Sequence, residues 1–550
     1  MAIDLPPVIP PQLSTAERIE AQSSISDGTI QTRVGETPVK ISGNRYLTEE
    51  QILRLTGASK TPSQAIRALN QAYYRSGHLL VTVYYAQRGD TVYVHVVNGE
   101  LAAIEGPDSV KSHFSPLVGD DDLTVDEFER RRVLAELQAQ RMGREYVIKY
   151  KTDDDPSKLS LVFTHEEASD YSPTEFSLSL GNEGNRFVGR YFGGAEIRHH
   201  FWNGTELKLE YDGALTDWGE NSGGKNYHGL SLKLGKPTRL GLYGMEVSAV
   251  DYERDAFLVN SSQPDNSPVC LLLPVLCPTP AASRTAVVVE GEIQSAALTG
   301  EQILFANRQH RLTVSERLEY TESEVSLDNG QVLEDEAHGG LEVGLKYFRQ
   351  SRVFGQPVRW SAQGFVENGL SGDSGTLGTE DFADAVSSGK RTAEYLLFKP
   401  KLGMKIGLGG SFSFDIDVLG QYADGKQVPQ QKQFVLGGIS TLAAYLPGAL
   451  IGDSGYYVRT KLAQDSWTVF GMELTPSIFI EHGEAVYEDA GGEFGRTRSL
   501  TDAGFRVEGE LGRGFTTQFV TAFPISERNV NEDVAKEMEA DFFWQLRKVF

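Results

Sequence analysis

The last residues of the chain alternate between large apolar and mostly polar side chains. The apolar series is Phe542, Trp544, Leu546 and Phe550, interrupted by Lys548. A period of two predicts a β-strand whose two faces meet different environments. A soluble sheet that buries one face gives the same local pattern, so this strand alone leaves both interpretations open.

The same alternation continues through the whole region from about residue 175 to the end of the chain. Short turns lie at 512–514, 465–466 and 235–238. Long loops alternate with them, at 525–538, 484–500, 422–454 and 251–284. Such alternation is typical of bacterial outer-membrane barrels, whose short turns face the periplasm, and is unusual in soluble sandwiches. At roughly 23 residues per strand and connection, residues 175–550 predict a β-barrel of about 16 strands.

The sequence also limits how the chain could cross a membrane. No window of the sequence approaches the ~18 consecutive apolar residues of a membrane-spanning helix. If the protein spans a membrane, it must do so as a closed barrel, because an open sheet edge leaves backbone groups without partners. In that barrel, Trp544, Leu546 and Phe550 are the expected carboxyl-terminal signal on the lipid-facing side.

Ahead of the barrel region, the sequence predicts two α+β modules of similar design. Thr48 and Thr61 each precede a glutamine by three residues, and Thr124 precedes Glu127 in the same way. This spacing caps the first turn of a helix. Two strands follow each helical part, which gives an order close to β-α-α-β-β. We place the first module at residues 31–99 and the second at residues 100–168.

Residues 1–30 form a leader that is proline-rich between residues 5 and 12. Ser14 and Glu17 have capping-box spacing and predict a short helix near residues 15–24. The start of the chain lacks the basic region and apolar core of a secretory signal. We therefore expect a mature form with an added methionine, from which a signal peptide has been removed, and a cytoplasmic protein is the alternative.

Composition narrows the classes of function. The 550 residues carry a formal net charge of -24, which argues against a nucleic-acid partner because that partner requires a basic face. No arrangement of catalytic, metal-binding or phosphate-binding residues stands out, so we expect a protein that is not an enzyme and holds neither metal nor cofactor.

Cys270 and Cys277 are the only cysteines. Two thiols without nearby histidines are too few for a structural zinc site. Their position in a long loop, on the expected extracellular side, favours a local disulfide, with two free thiols as the alternative.

The long loop at 422–454 carries a family motif. Residues 433–445 read QFVLGGISTLAAY and are followed by Gly452-Asp453-Ser454-Gly455. This sequence resembles the inserted loop of the two-partner secretion transporters, the TpsB family of the BamA-like superfamily. Weaker resemblances near residues 43–48, 123–130 and 522–525 extend the similarity over essentially the whole chain. The loop residues that the resemblance singles out are Gly437, Gly438, Leu442, Ala443, Ala444, Tyr445, Gly452, Asp453 and Gly455.

The resemblance implies a membrane all-β fold, with a short plug helix, two POTRA domains and a 16-stranded outer-membrane barrel. The modules at 31–99 and 100–168 would be the POTRA domains, and the helix near 15–24 would be the plug in the barrel lumen. The implied location is the outer membrane of a Gram-negative bacterium, with the POTRA domains in the periplasm.

The resemblance also implies a contact between the inserted loop and the barrel wall. In the family, an arginine of the loop pairs with an acid in a Phe-x-Asp-x-Gly motif. This chain has Phe479, Glu481 and Gly483 in the wall, but Ala443 stands where the arginine is expected. Alternation places Glu481 on the lumenal face. Arg459 faces inward too, but a turn at 465–466 would put it opposite a residue about ten positions before Glu481.

We therefore expect a loop that is held less tightly than in its relatives, or a sequence altered at this position. A Glu481 that is simply solvated in a watery lumen is the alternative.

For function, the resemblance implies export of an unfolded partner exoprotein, received by the POTRA domains and conducted outward by the barrel. An extended client can add itself to a strand edge, and the expected contacts are Phe128, Arg130, Tyr146 and Ile148. The alternative is that these edges only pack against the barrel mouth. The client could be an adhesin, a haemolysin or a contact-dependent toxin, and the transporter is expected to be a monomer in outer-membrane lipid.

Two other classes share part of this pattern. An outer-membrane barrel assembly factor of the same superfamily has POTRA domains and a barrel, but usually more than two such domains. A passive diffusion porin has no modules of this kind ahead of its barrel.

Overall fold

The computed structural model describes residues 3–23, 28–152, 155, 157–168, 170–184, 188–215, 218, 226–260, 283–379, 390–490 and 495–550. These residues form two small α+β units followed by one closed antiparallel barrel. No helix within these ranges is long and apolar enough to cross a membrane.

The first unit is a five-stranded sheet with helices on both faces. Its strands are β1 (Gln12–Leu13), β2 (Ile30–Val34), β3 (Thr37–Ser42), β4 (Val81–Arg88) and β5 (Thr91–Asn98), in the order β1-β4-β5-β3-β2. Its helices are α1 (Ala16–Ser23), α2 (Glu49–Gly57) and α3 (Pro62–Arg75). The predicted capping box at Thr48 and Gln51 is confirmed, and Thr61 caps α3. Alternate valines of β4 and β5 pack against α2 and α3, with Tyr73 of α3 fully buried among them.

The second unit is a three-stranded sheet covered by two helices. It contains β6 (Glu100–Glu105), α4 (Asp108–Phe114), α5 (Val125–Arg141), β7 (Arg144–Thr152) and β8 (Lys158–Glu167), and its strand order β6-β8-β7 leaves β7 at an edge. The capping box at Thr124 and Glu127 is confirmed. The sequence did not predict α4, because Pro107 precedes this helix without any side-chain capping bond. Phe114 stacks on Phe128 with ring centroids 4.8 Å apart, which fixes α4 against α5.

The barrel has sixteen wall strands, as predicted, with β22 and β23 forming one of them. The segments are β9 (Thr174–Gly181), β10 (Phe192–His200), β11 (Glu206–Ala214), β12 (Asn226–Pro237), β13 (Leu242–Asn260), β14 (Ser283–Ala306), β15 (His310–Leu327), β16 (Val332–Val353), β17 (Gln356–Gly369), β18 (Leu396–Gly409), β19 (Phe412–Gln421), β22 (Ser454–Gln464), β23 (Trp467–Val469), β24 (Met472–Val486), β25 (Arg498–Gly512), β26 (Phe515–Arg528) and β27 (Phe543–Val549). Two short strands, β20 (Phe434–Leu436) and β21 (Leu450–Gly452), lie in the loop between β19 and β22, and helix α6 (Glu532–Met538) lies between β26 and β27.

The alternating pattern sets the two faces of the wall. On β24, Ile478 and Ile480 are exposed on the outside, while the next residue, Glu481, points to the inside and is fully buried. An outward apolar band with a polar interior is the arrangement that lipid requires of a barrel.

Short hairpin turns join the strands at the end nearest the two α+β units. At Phe354-Gly355, Phe470-Gly471 and Arg513-Gly514, both turn residues have positive φ, the signature of a type I′ turn. The predicted turn at 512–514 is confirmed. The turn predicted at 235–238 lies slightly later, because β12 continues to Pro237, which pairs with Leu242.

The turn predicted at 465–466 is wrong. The wall strand continues through β23 and turns at Phe470-Gly471. Asp465 and Ser466 are typical turn residues, but the Asp465 N–H donates to the Ser411 carbonyl of the neighbouring turn (2.7 Å), whereas Gly471 supplies the positive φ that closes the hairpin. The later turn changes the register, so Arg459 lies directly opposite Glu481.

The predicted helix near 15–24 is present as α1, but its implied position as a plug in the lumen is wrong in this structure. Ala16 and Ile19 pack against Ala86 on the face of the first sheet opposite α2 and α3. The Glu20 carboxylate pairs with Arg88 at 3.0 Å. The apolar side of α1 therefore finds its partner on the first α+β unit, outside the barrel.

Candidate functional site: the lumenal loop and its anchors

The chain leaves the wall between β19 and β22 and folds inward over residues 422–453. We call this segment the lumenal loop. Strands β20 and β21 pair to form its base, and its tip, residues 442–445, is fully buried. The tip packs with inward-facing wall side chains, including Tyr457, Phe479 and Phe543.

Two backbone amides at the tip hold it to the wall. The Ala443 N–H donates to Oε2 of Glu481 at 2.8 Å, and the Ala444 N–H donates to Oδ2 of Asp502 at 2.8 Å. Leu442 precedes them with a φ of +51°. Successive N–H groups beside a left-handed residue form a concavity that binds acidic oxygen atoms, and here it holds one carboxyl oxygen of Glu481 and one of Asp502.

The other oxygen of Glu481 is held by the wall itself. The Tyr457 hydroxyl donates to Oε1 at 2.6 Å, and Nη1 of Arg459 lies 3.7 Å from the same oxygen. Arg459 also pairs with Asp417 at 3.0 Å. Asp417, Arg459, Glu481 and Asp502 are register neighbours on β19, β22, β24 and β25, so they form one continuous row across four strands.

The segment between β26 and β27 covers the tip. The Ala540 N–H donates to the Ala444 carbonyl at 2.8 Å, and the Leu446 N–H donates to the Met538 carbonyl at 2.6 Å. The Tyr445 hydroxyl donates to Glu527 at 2.9 Å. The tip is therefore enclosed by the wall below and by the chain around α6 on the loop side.

A second anchor fixes the lumenal loop to a different sector of the wall. Lys432 forms ion pairs with Glu319 of β15 and with Glu367 of β17, the latter at 2.6 Å. The Gln430 N–H donates to Oε2 of Glu336 on β16 at 2.9 Å. These strands are far from β24 and β25 in the barrel order, so the lumenal loop spans the interior between two sectors of the wall.

Gly483 leaves the space that the lumenal loop fills. A Cβ atom at this position would lie 2.6 Å from Cδ1 of Leu436 and 3.1 Å from Cδ1 of Leu442. Close contact between loop leucines and wall backbone therefore depends on the absence of a side chain at residue 483.

Asp453 fixes the point where the lumenal loop returns to the wall. Its side chain is fully buried, and it accepts N–H bonds from Val428 and Glu488, each at 3.0 Å. Burial raises the pKa of Asp453 to about 6, although both N–H bonds act in the opposite direction.

The structure brings together the loop and wall residues that the sequence singled out. Gly437 and Gly438 have positive φ, and the Gly438 N–H donates to the Tyr445 carbonyl at 2.7 Å. Gly452 and Gly455 lie close to the backbone of β24, where a Cβ atom would meet Val486 and Glu484. The roles of these residues stay predictions, but their side chains and backbone share one cluster.

The alternative of a solvated Glu481 is wrong, whereas the expectation that the loop is held less tightly than in its relatives stays a prediction. The carboxylate is fully buried and has an amide, a hydroxyl and a guanidinium around it. The missing loop arginine is replaced by the N–H of Ala443 itself, which any residue except proline supplies. Asp502 and Tyr457 were not predicted as site residues, although the inward position of each on β25 and β22 is a signal in the sequence that could have identified both.

The carboxyl-terminal signal lies where the barrel closes. Five residues of β27, from Gln545 to Val549, pair with β9. The Phe550 N–H donates to the Phe176 carbonyl at 2.8 Å, and the two rings lie 5.7 Å apart. The Lys548 ammonium lies 4.6 Å from the Phe515 ring. Cys270 and Cys277, the disulfide candidates, lie outside the described residues.

The predicted client contacts are corrected. Phe128, Tyr146 and Ile148 are buried in the core of the second unit, because inward positions of α5 and β7 are the apolar ones. Their side chains are not accessible to a client. Arg130 donates through Nε to the Ile303 carbonyl at 3.2 Å, at the end of β14.

Helix α5 docks on the end of the barrel. Arg141 donates to the Gly235 carbonyl at 3.0 Å and pairs with Glu206 at 3.0 Å, and Gln138 donates to the Asn203 carbonyl at 3.1 Å. Helix α5 therefore packs against the barrel mouth, and a client surface on α5 and β7 stays a prediction.

The sequence is similar to known outer-membrane transporters. Residues 279–498 match the family model described as haemolysin secretion/activation protein ShlB/FhaC/HecB. The chain is 23% identical over 312 residues to the heme/hemopexin transporter protein HuxB of Haemophilus influenzae (strain 86-028NP), over 56% of this chain and 48% of that protein. The chain thus spans about half the length of the curated relatives it matches.

Two solved structures share the fold. CdiB from Escherichia coli superposes with a TM-score of 0.66 at 13% identity, over 95% of this chain and 91% of that chain. BamA from Haemophilus ducreyi lacking POTRA domains 1–3 superposes with a TM-score of 0.53 at 13% identity, over 95% of this chain and 100% of that chain.

The sixteen-stranded barrel and its α+β units have the fold of CdiB and BamA, which is that of an outer-membrane β-barrel of a Gram-negative bacterium with its α+β units in the periplasm. Within this barrel, residues 279–498 are similar to the ShlB/FhaC/HecB proteins, a family of two-partner secretion transporters.

Proposed function

We propose that this protein recognises an unfolded partner exoprotein in the periplasm and exports it through the barrel to the cell surface. The family match over residues 279–498 carries the proposal. The two α+β units, at residues 31–99 and 100–168, act as POTRA domains that receive the client, and one monomer in outer-membrane lipid forms the channel. The client is an adhesin, a haemolysin or a contact-dependent toxin.

The geometry supports a gated export channel. The lumenal loop crosses the interior between Lys432 and Glu481, so a client passes only after the loop moves. Charged side chains line the inner wall in opposite-sign pairs, such as Lys399 with Glu342 and Lys461 with Asp415 at 3.2 Å. A polar wall of this kind offers little apolar surface on which an unfolded chain would be retained.

The test is co-expression with the large secreted protein encoded beside the transporter gene. We expect the partner in the medium with the full chain, and its retention in the periplasm when residues 31–168 are deleted. Heat-modifiable migration of the deletion variant checks that its barrel still folds. Normal export by that variant contradicts recognition through the two units, and loss of unrelated outer-membrane barrels on depletion would instead identify an assembly factor.

A further inference from the structure

The proline-rich leader is not a loose tether, because its side chains are buried with a regular period. Ile3, Pro6 and Ile9 are buried, and each follows the one before it by three residues. The exposed residues between them include Asp4 and Val8. A repeat of three residues is that of the polyproline II helix, which proline favours and which has no internal hydrogen bonds.

The same period appears in the hydrogen bonds that hold the leader. Arg132 donates through Nη1 to the Ile3 carbonyl at 2.8 Å, the Tyr74 hydroxyl donates to the Pro6 carbonyl at 2.9 Å, and Nδ2 of Asn70 donates to the Ile9 carbonyl at 2.8 Å. Three side-chain donors thus bind three backbone carbonyls, one at every third residue of the leader. We call this surface the junction groove, since Asn70 and Tyr74 belong to α3 and Arg132 to α5.

Arg132 of the junction groove is also held by carboxylates of its own helix. Arg132 pairs with Glu129 at 2.7 Å and with Glu136 at 3.2 Å, and all three side chains are mostly buried. Asn70 is itself almost fully buried. Donors that are already oriented lose little conformational entropy when an acceptor arrives.

The ends of the leader cover strand edges in both units. Ile3 forms a parallel bridge with Tyr146, on the outer edge of β7. Nine residues later, β1 begins to pair in parallel with the edge strand β4, through Gln12 with Tyr84 and Leu13 with Tyr85. The leader therefore occupies the edges to which an extended polypeptide would add as a further strand.

We propose that the junction groove is a binding site for an extended polypeptide in the polyproline II conformation, with apolar residues at every third position. The leader, residues 3–13, occupies the site here as an internal competitor. Resting on the proposed function, the competing ligand is an unfolded segment of the exported partner, which displaces the leader and gains access to the edges of β4 and β7.

The test loosens the leader in the full chain and probes the groove with the leader's own sequence. In the variant with Ile3→Asp and Ile9→Asp, both apolar anchors are lost while the three donors remain. We expect a fluorescent peptide, IDLPPVIPPQL, to bind this variant in detergent at least ten-fold more tightly than it binds the wild type, measured by anisotropy. A chain lacking residues 3–13 is expected to behave as the double variant does.

Two controls distinguish binding in the junction groove from nonspecific binding of the peptide. Val8→Asp changes an exposed leader residue by the same chemistry and is expected to leave the groove closed to the peptide. A peptide with aspartate at both anchor positions is expected not to bind. Equal binding of the peptide to wild type and double variant, or no binding to either leader variant while their thermal unfolding stays cooperative, overturns the proposal.

The partner arm of the proposal has its own readout. An unfolded segment of the exported partner is expected to compete with the labelled peptide for the double variant. Absence of competition while export is normal refutes the partner as ligand but leaves the export function standing. Peptide binding without any export refutes the function but leaves the groove standing.

Discussion

Replacing Glu481 with leucine tests whether its carboxylate holds the lumenal loop. The substitution removes the acceptor of the Ala443 N–H and of the Tyr457 O–H, both of which are buried. A buried donor without a partner costs about 1–3 kcal/mol, so the anchored state loses about 2–6 kcal/mol. Glu481→Gln keeps one oxygen for the Ala443 amide, and its NH₂ group can donate to the Tyr457 oxygen. That variant loses only the charge-assisted part of the bonds, about 1 kcal/mol.

The assay is conductance of the purified protein in a planar lipid bilayer, scored as the fraction of time in a conducting level. Because 1.4 kcal/mol is a factor of ten, we expect Glu481→Leu to raise the ratio of open to closed states by roughly 30-fold or more. Glu481→Gln should raise it only a few-fold. Glu210→Leu is the matched control, since Glu210 is a lumenal carboxylate on β11 that pairs with Lys208 of the same strand at 2.9 Å. Equal effects of the leucine and glutamine variants, or none from either, would refute the anchor.

Three further substitutions probe the loop and the docking of the second unit. The pKa of Asp453 is raised from 3.8 to about 6, so the folded state binds the extra proton and the free energy of unfolding falls as the pH rises between these values. The melting temperature of the wild type should fall relative to Asp453→Asn over that interval, and a constant gap would contradict this. Gly483→Ala should lower the melting temperature through overpacking of about 1–3 kcal/mol, whereas Gly339→Ala, with no atom nearer than 3.6 Å to the new Cβ, should change it little. Arg141→Ala should broaden the distance distribution between spin labels on the second unit and on the barrel, because breaking a largely buried ion pair costs about 3 kcal/mol; an unchanged distribution would mean that α5 is held by other contacts.

Local signals in the sequence predicted the elements well. The threonines at 48, 61 and 124 cap helices as expected, because capping depends only on residues one turn apart. The two-residue period of the wall strands identified the barrel, and the inward position of Glu481 followed from the same period. These features are set by neighbours in the chain, and so a single sequence contains them.

The errors arose where the answer depends on distant contacts. Two turn-forming residues, Asp465 and Ser466, suggested a hairpin five residues too early, and the shifted register separated Arg459 from Glu481. The fate of α1 depended on which apolar surface its Ile19 would find, and the sheet face at Ala86 gave no local sign of accepting it. The backbone amide of Ala443 is present at nearly every residue, so its use as the partner of Glu481 becomes visible only in three dimensions.

The lumenal loop is tied at two separated sectors, by Lys432 on one side and by the tip amides on the other. Each attachment alone is enough to keep part of the loop inside the barrel. Releasing either one lets the loop swing about the other, which leaves the pore partly obstructed while the free energy of the second attachment is retained. The pore is fully cleared only when both attachments release. The leak of small ions at rest therefore depends on the free energy of the weaker attachment, whereas passage of a polypeptide depends on the sum of both free energies. A single change in the loop can raise the ion leak without raising polypeptide export.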